Sequence, residues 1–232
     1  TVAIGPAAGA LEWYAADVQL APGVNTITFT ATDNSGNLAT DTIVVTVNDL
    51  AYYLAEGATG TFFDLDLLLA NPNSTPVNIT ATFLKPLGQG TVVQQYTLPA
   101  TSRTTINVEA IAGLENAEVS TIVTAPAATP IVVERTMRWD ATGYGAHTDK
   151  ASPSTSTKWY FAEGSQGFFF TYLLLANPHD AANQVTVKYL REGTTTVTRV
   201  YNLAPLQRFT VDLGADAELV NQSFGMEVTF TL

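Results

Sequence analysis

Apolar and polar residues alternate with a period of two along much of this chain. At residues 25–32, Ile27, Phe29 and Ala31 interleave with Thr26, Thr28, Thr30 and Thr32, and the alternation resumes at 40–47 through Ile43, Val45 and Val47. A period of two puts one set of side chains on each face of a strand, and β-branched residues suit that pleated surface. Asp33-Asn34-Ser35-Gly36-Asn37 between the runs is turn chemistry, so the segment predicts an antiparallel hairpin. Further along, 78–84 alternates Ile79, Ala81 and Phe83 against Asn78, Thr80 and Thr82. Leu87-Gly88-Gln89-Gly90 then turns and 92–98 returns; 185–190 and 196–203, around Glu192-Gly193, do the same. A single helical turn is expected within 110–118.

One stretch of the chain is written twice. Y-L-A-E-G from Tyr53 leads through A-T-G-T-F-F-D-L-D-L-L-L-A-N-P to Pro72, and Y-F-A-E-G from Tyr160 leads through S-Q-G-F-F-F-T-Y-L-L-L-A-N-P to Pro178, one residue shorter. The match continues through Arg103 with Arg208 and through Ile106 and Val108 with Val211 and Leu213. Two tandem homologous modules follow. Strand and turn signals at this spacing predict an all-β chain of tandem immunoglobulin-like β-sandwich modules in an elongated arrangement. The division expected is 1–50 as a partial immunoglobulin-like module, 51–147 as β-sandwich repeat 1, 148–157 as a Ser/Thr/Pro linker, and 158–232 as repeat 2 without its final strand segment. The first unit has two clear strands and one earlier ribbon at 12–20, too few to close a core.

Composition narrows the function. Only 13% of residues are charged and the net charge is −11; residues 1–50 carry Glu12, Asp17, Asp33, Asp41 and Asp49 and no Lys or Arg. Such a surface repels phosphate backbones, which disfavours nucleic-acid binding. No run of about 18 apolar residues predicts a membrane span. A secreted protein would have its signal peptide removed or lying upstream. There is no cysteine, which removes disulfides, thiolate catalysis and Cys-based zinc sites together.

Residues 20–47, L-A-P-G-V-N-T-I-T-F-T-A-T-D-N-S-G-N-L-A-T-D-T-I-V-V-T-V, resemble the C-terminal half of bacterial immunoglobulin-like or hyalin-type repeats, spacer modules of secreted adhesins and envelope proteins. The doubled W/Y-Y-F/L-A-E-G…L-L-L-A-N-P motif, with P-I-V-V-E-R-T-M-R-W at 130–139, resembles a repeat family of bacterial cell-surface proteins without assigned catalysis. The resemblance implies an extracellular or cell-surface location and modularity. Copy 1 contains the P-I-V-V-E-R segment after its strand at 121–124, while copy 2 ends in V-T-F-T-L. Both terminal modules are therefore expected to be unfinished sheets. A neighbour would complete them by strand addition, the N-terminal segment of one subunit entering the last module of the next, in a filament of copies of itself. The alternative is an excerpt of a longer array whose adjacent modules fill the gap.

The candidate sites are few. His147 and His179 are both expected in loops, and a Ser152–His147–Asp149 triad would lie in the linker, where nothing holds its geometry; no enzyme, cofactor or metal is expected. Glu56 and Glu163 are read as repeat-motif structural acids, paired with Arg103, Arg208 or Arg135, over calcium or sugar ligation; Asn71 and Asn177 are structural too. Asp64 and Asp66 share one strand face, expected to be solvated rather than calcium-binding. The aromatics, Tyr52, Tyr53, Phe62, Phe63, Trp159, Tyr160, Phe161, Phe168, Phe169, Phe170 and Tyr172, recur at matching positions and are expected in core and inter-module packing. Asn73, Asn78 and Asn221 are sequon candidates for N-glycosylation, and Ser152, Ser154, Thr155, Ser156 and Thr157 for O-glycosylation, so glycans are a candidate partner. The expected function is a structural subunit of a surface fibre, with an adhesin arm or carbohydrate-binding module as the alternative.

Overall fold

The computed structural model describes residues 18–139, 144–193 and 195–232. Most of the ribbon expected at 12–20 lies outside them. The first unit is the expected hairpin: β1 (Gly23–Thr32) and β2 (Leu38–Val47) pair antiparallel with Ile27 opposite Ile43. Asp33 closes the turn, accepting from the Ser35 and Asn37 amides at 2.8 and 2.9 Å. No residue of either strand is buried, and Val24, Leu38 and Val44 are well exposed.

Copy 1 runs β3 (Leu50–Leu54), β4 (Phe63–Asn71), β5 (Val77–Leu84), β6 (Thr91–Leu98), β7 (Ser102–Asn107), β8 (Ser120–Ala125), β9 (Val132–Trp139) and β10 (Gly145–Lys150). They form two four-stranded antiparallel sheets, ordered β3-β8-β5-β6 and β10-β9-β4-β7. The sheets share one core. Leu65, Leu67 and Leu69 of β4 and Val133 and Met137 of β9 come from one; Ile79, Ala81 and Phe83 of β5 and Val123 of β8 come from the other. Alternate residues point inward as the pleat requires, and each fully buried Leu or Phe is worth about 1.5–3 kcal/mol.

Copy 2 runs β11 (Lys158–Ser165), β12 (Tyr172–Asn177), β13 (Asn183–Arg191), β14 (Val197–Leu203), β15 (Gln207–Asp212) and β16 (Ser223–Phe230). The sheet β11-β16-β13-β14 matches β3-β8-β5-β6 strand for strand. Its partner has two strands, β12-β15, where copy 1 has four. Tyr189 stands where copy 1 has Phe83 and is as deeply buried; burial, and then the Tyr201 hydroxyl 3.3 Å away, push its phenol well above the ordinary value.

Two local expectations change. At 110–118 there is no helical turn; successive turns close instead, with Ile111 N donating to Val108 O at 3.1 Å and Leu114 N to Ile111 O at 2.9 Å. In copy 2 the matching position holds one 3-10 turn, Leu213–Ala215, capped by the Asp212 side chain. The segment read as a linker at 148–157 begins inside β10. Thr148 faces Thr136 of β9, their hydroxyls 2.8 Å apart, and Ser152 exchanges two backbone hydrogen bonds with Tyr53 at 2.8 and 2.9 Å. The small alternation of Ala146, Thr148 and Lys150 with His147 and Asp149 is too polar to read as a strand without its neighbour.

Candidate functional site

Each copy builds the same pocket wall from the motif residues. In A-E-G the glycine lets the chain touch the core: a Cβ on Gly57 would lie 2.7 Å from Leu65 Cδ2, and one on Gly164 2.5 Å from the Phe224 ring. That close approach sets the preceding glutamate, Glu56 or Glu163, beside the opening between the sheets. Asn71 and Asn177 hold the other side. Asn71 Nδ2 donates to the Thr75, Leu98 and Pro99 carbonyls at 3.0, 3.2 and 2.8 Å, and Asn177 Nδ2 donates to Ala181 and Ala204 at 2.8 Å each. One buried amide thereby ties two turns together in each copy.

In copy 1 strand β9 fills the opening. Arg135 points inward with its side chain 4% exposed and ion-pairs with Glu56. His147 Nε2 lies 3.3 Å from Glu56 and Asp149 lies 4.0 Å from Arg135, both reaching across from β10. Tyr52 Oη accepts the Ile131 amide at 3.1 Å, and Asn73 Nδ2 donates to Pro130 O at 3.0 Å. On the outer face Arg138 pairs with Asp66 at 2.8 Å and reaches Asp64 at 3.9 Å. These carboxylates serve an arginine on a face that is still partly open to solvent. His147 sits in a strand and not in a loop, and its neighbours Arg135, Glu56 and Trp139 are structural contacts.

In copy 2 the opening is unfilled. The edge of β12 that corresponds to the β4 edge against β9 pairs with no strand among the described residues. Residues in the places of Tyr52, Leu54, Glu56 and Asn73 are Trp159, Phe161, Glu163 and His179, and all four line a cleft of about 530 Å³. Leu54 is 4% exposed; Phe161 is 44% exposed. Leu173, Leu175, Met226 and Val228 form the floor, and Tyr53, Arg135 and Ser152 of copy 1 the facing wall. Glu163 is exposed and forms no ion pair among the described residues.

The aromatic expectation fails here. Phe168 and Phe170 are 91% and 80% exposed, and Tyr160, Phe169 and Tyr172 are exposed as well. Phe62 of copy 1 is exposed too, whereas Phe63 is half-buried where β4 pairs with Trp139 of β9; no strand among the described residues pairs beside the Phe168–Phe170 loop in that way.

The arginines diverge too. Arg103 is exposed, whereas Arg208 is buried at the junction of the copies, ion-paired to Glu118, with its amide donating to Lys85 O at 3.2 Å. Burial lowers the Arg208 guanidinium from its ordinary value, opposed by Glu118. Sequence reading placed Arg208 near Glu56 or Glu163 and missed Glu118, which no repeat pairing marks. Of the glycosylation candidates, Asn78 is exposed with Oδ1 accepting from Thr97 at 2.7 Å. Asn73 Nδ2 is engaged in two hydrogen bonds, and Asn221 is exposed in a left-handed conformation at φ 54°. Ser154, Thr155, Ser156 and Thr157 are exposed, and Ser152 is half-buried. Asp33 keeps to its turn.

No protein-family model and no curated protein matches the chain. Among solved structures, one described as the crystal structure of Thermotoga maritima 1070 is similar over 45% of this chain and 94% of its own, at 12% identity and a TM-score of 0.41. A likeness of that size carries no argument about function.

Proposed function

We propose that this chain is a non-enzymatic structural segment of an extracellular bacterial surface fibre, built of immunoglobulin-like β-sandwich modules and joined head-to-tail by β-strand addition. The observation that carries the reading is the unpaired β12 edge over an apolar cleft, at the place where copy 1 holds β9. An uncovered edge beside exposed Phe161 and Tyr172 is a hazard to a free protein and a joint in an assembled one. The hairpin of β1 and β2, which pairs with no third strand among the described residues, supports the same modular reading, since two strands alone are marginal in water. The surface location rests on the resemblance of residues 20–47 and of the doubled motif to bacterial surface repeats. Asn78 and residues 154–157 are the places we assign to sugar, if the fibre is glycosylated.

The exposed Phe168-Phe169-Phe170 loop favours a second reading, an adhesin arm that binds sugars or a host surface through aromatic rings. Immunogold labelling of native cells with antibody raised against this chain separates the two. Labelled filaments with regular spacing are the expected result. Label confined to the cytoplasm sinks both readings, and label on isolated surface stalks that bind a glycan array through this loop replaces the first with the second.

A further inference from the structure

The two copies differ in charge as well as in coverage, and the charge specifies what enters the open cleft. In copy 1 the carboxylate of Glu56 meets the buried guanidinium of Arg135, which stands five residues after Pro130 on the inward face of β9. Ile131, Val133 and Met137 share that inward side and are buried. Glu163 occupies the place of Glu56 at the mouth of the copy 2 cleft and has no cation answering it among the described residues. On the outer face the situation reverses. Asp66, which receives Arg138 in copy 1, is replaced by Tyr172 in copy 2.

We infer that the cleft of copy 2 is a receptor for one extended polypeptide strand of the β9 pattern, with alternate apolar side chains entering the core and an arginine delivered to Glu163. The inference rests on the strand-addition reading above and names its partner's chemistry. Main-chain hydrogen bonds to β12 provide affinity for any strand, and the arginine selects the correct one in the correct register. A strand shifted by one residue would turn the arginine outward and leave Glu163 unanswered. Residues 1–17 contain no Lys or Arg, so that stretch does not supply the arginine. The donor is a strand like residues 130–139.

The test uses the intact chain and a synthetic peptide with the sequence of residues 130–139, followed by titration calorimetry and by hydrogen exchange at the β12 amides. The expected result is one peptide bound per chain, with slowed exchange at β12. Arg135→Ala in the peptide weakens binding by about thirtyfold or more, since truncating one partner of a buried charge pair is costly, while Arg138→Ala changes it by less than about threefold. Pairing a Glu163→Arg chain with an Arg135→Glu peptide restores most of the affinity. Glu163 is exposed, so its replacement leaves folding intact. Equal binding of the wild-type and Arg135→Ala peptides overturns the arginine requirement and leaves strand addition standing. No binding of any peptide, with β12 exchange unchanged, overturns strand addition itself.

Discussion

Copy 1 and copy 2 present the same wall to two different circumstances. In copy 1 the tyrosine, leucine and glutamate of the Y-Y-L-A-E-G motif lie under β9, and polar groups along the seam are paired: Tyr52 with Ile131, Glu56 with Arg135, Asn73 with Pro130. In copy 2 the wall is built from Trp159, Phe161 and Glu163 and lines a cleft shared with residues of copy 1. The motif builds the same wall whether or not a strand is paired beside it among the described residues. Glycine packing and the buried asparagine hold the wall in place from within each copy.

The comparison is broken hardest by emptying the filled copy of its cation. Arg135→Ala strands Glu56 beside the core and should cost copy 1 about 3 kcal/mol, the low end for a broken buried pair because Glu56 is partly exposed. Calorimetry resolving two transitions should show the copy 1 transition falling and that of copy 2 unmoved. A loss below about 1 kcal/mol would mean β9 is held by main-chain pairing alone. A smaller effect tests what the copies share. Asn71→Ala and Asn177→Ala each leave buried carbonyls without a donor and should cost about 2 kcal/mol apiece in urea unfolding. Costs differing by more than about 1 kcal/mol would deny that the two amides do the same job.

The smallest expected effect separates the copies by pH. Asp216 is pushed up by burial but drawn further down by Arg199, which donates to it at 2.7 Å, and by the Glu218 amide, so its carboxyl sits below the ordinary value. A carboxylate with a depressed folded value stabilises above its unfolded value and loses that contribution as pH falls through the folded one. Copy 2 should therefore weaken as pH drops below about 4, by less than about 1 kcal/mol given the partial exposure of Arg199. Copy 1 has Gln94 in the place of Arg199 and lacks this pair. Asp216→Asn should remove the extra acid sensitivity, read as the slope of the copy 2 melting temperature against pH. An unchanged slope would assign it elsewhere.

Much of this molecule is local, and local features are legible in the chain. The hairpins at β1–β2, β5–β6 and β13–β14 follow from alternation with a period of two and from Gly- and Asn-rich turns, because both signals act over a few residues. The doubled motif pairs Asn71 with Asn177 and Glu56 with Glu163 in the sequence itself. What the chain did not disclose is non-local. β10 is too polar to announce itself and exists because β9 offers an edge. Glu118 meets Arg208 across the junction of two copies, 90 residues apart. The recurring aromatics were legible as positions, but whether Phe63 is half-buried and Phe170 bare is decided by which strand lies alongside. Alternation and turn chemistry are properties of neighbouring residues, whereas burial and ion pairing are properties of whatever backbone the fold brings next to them.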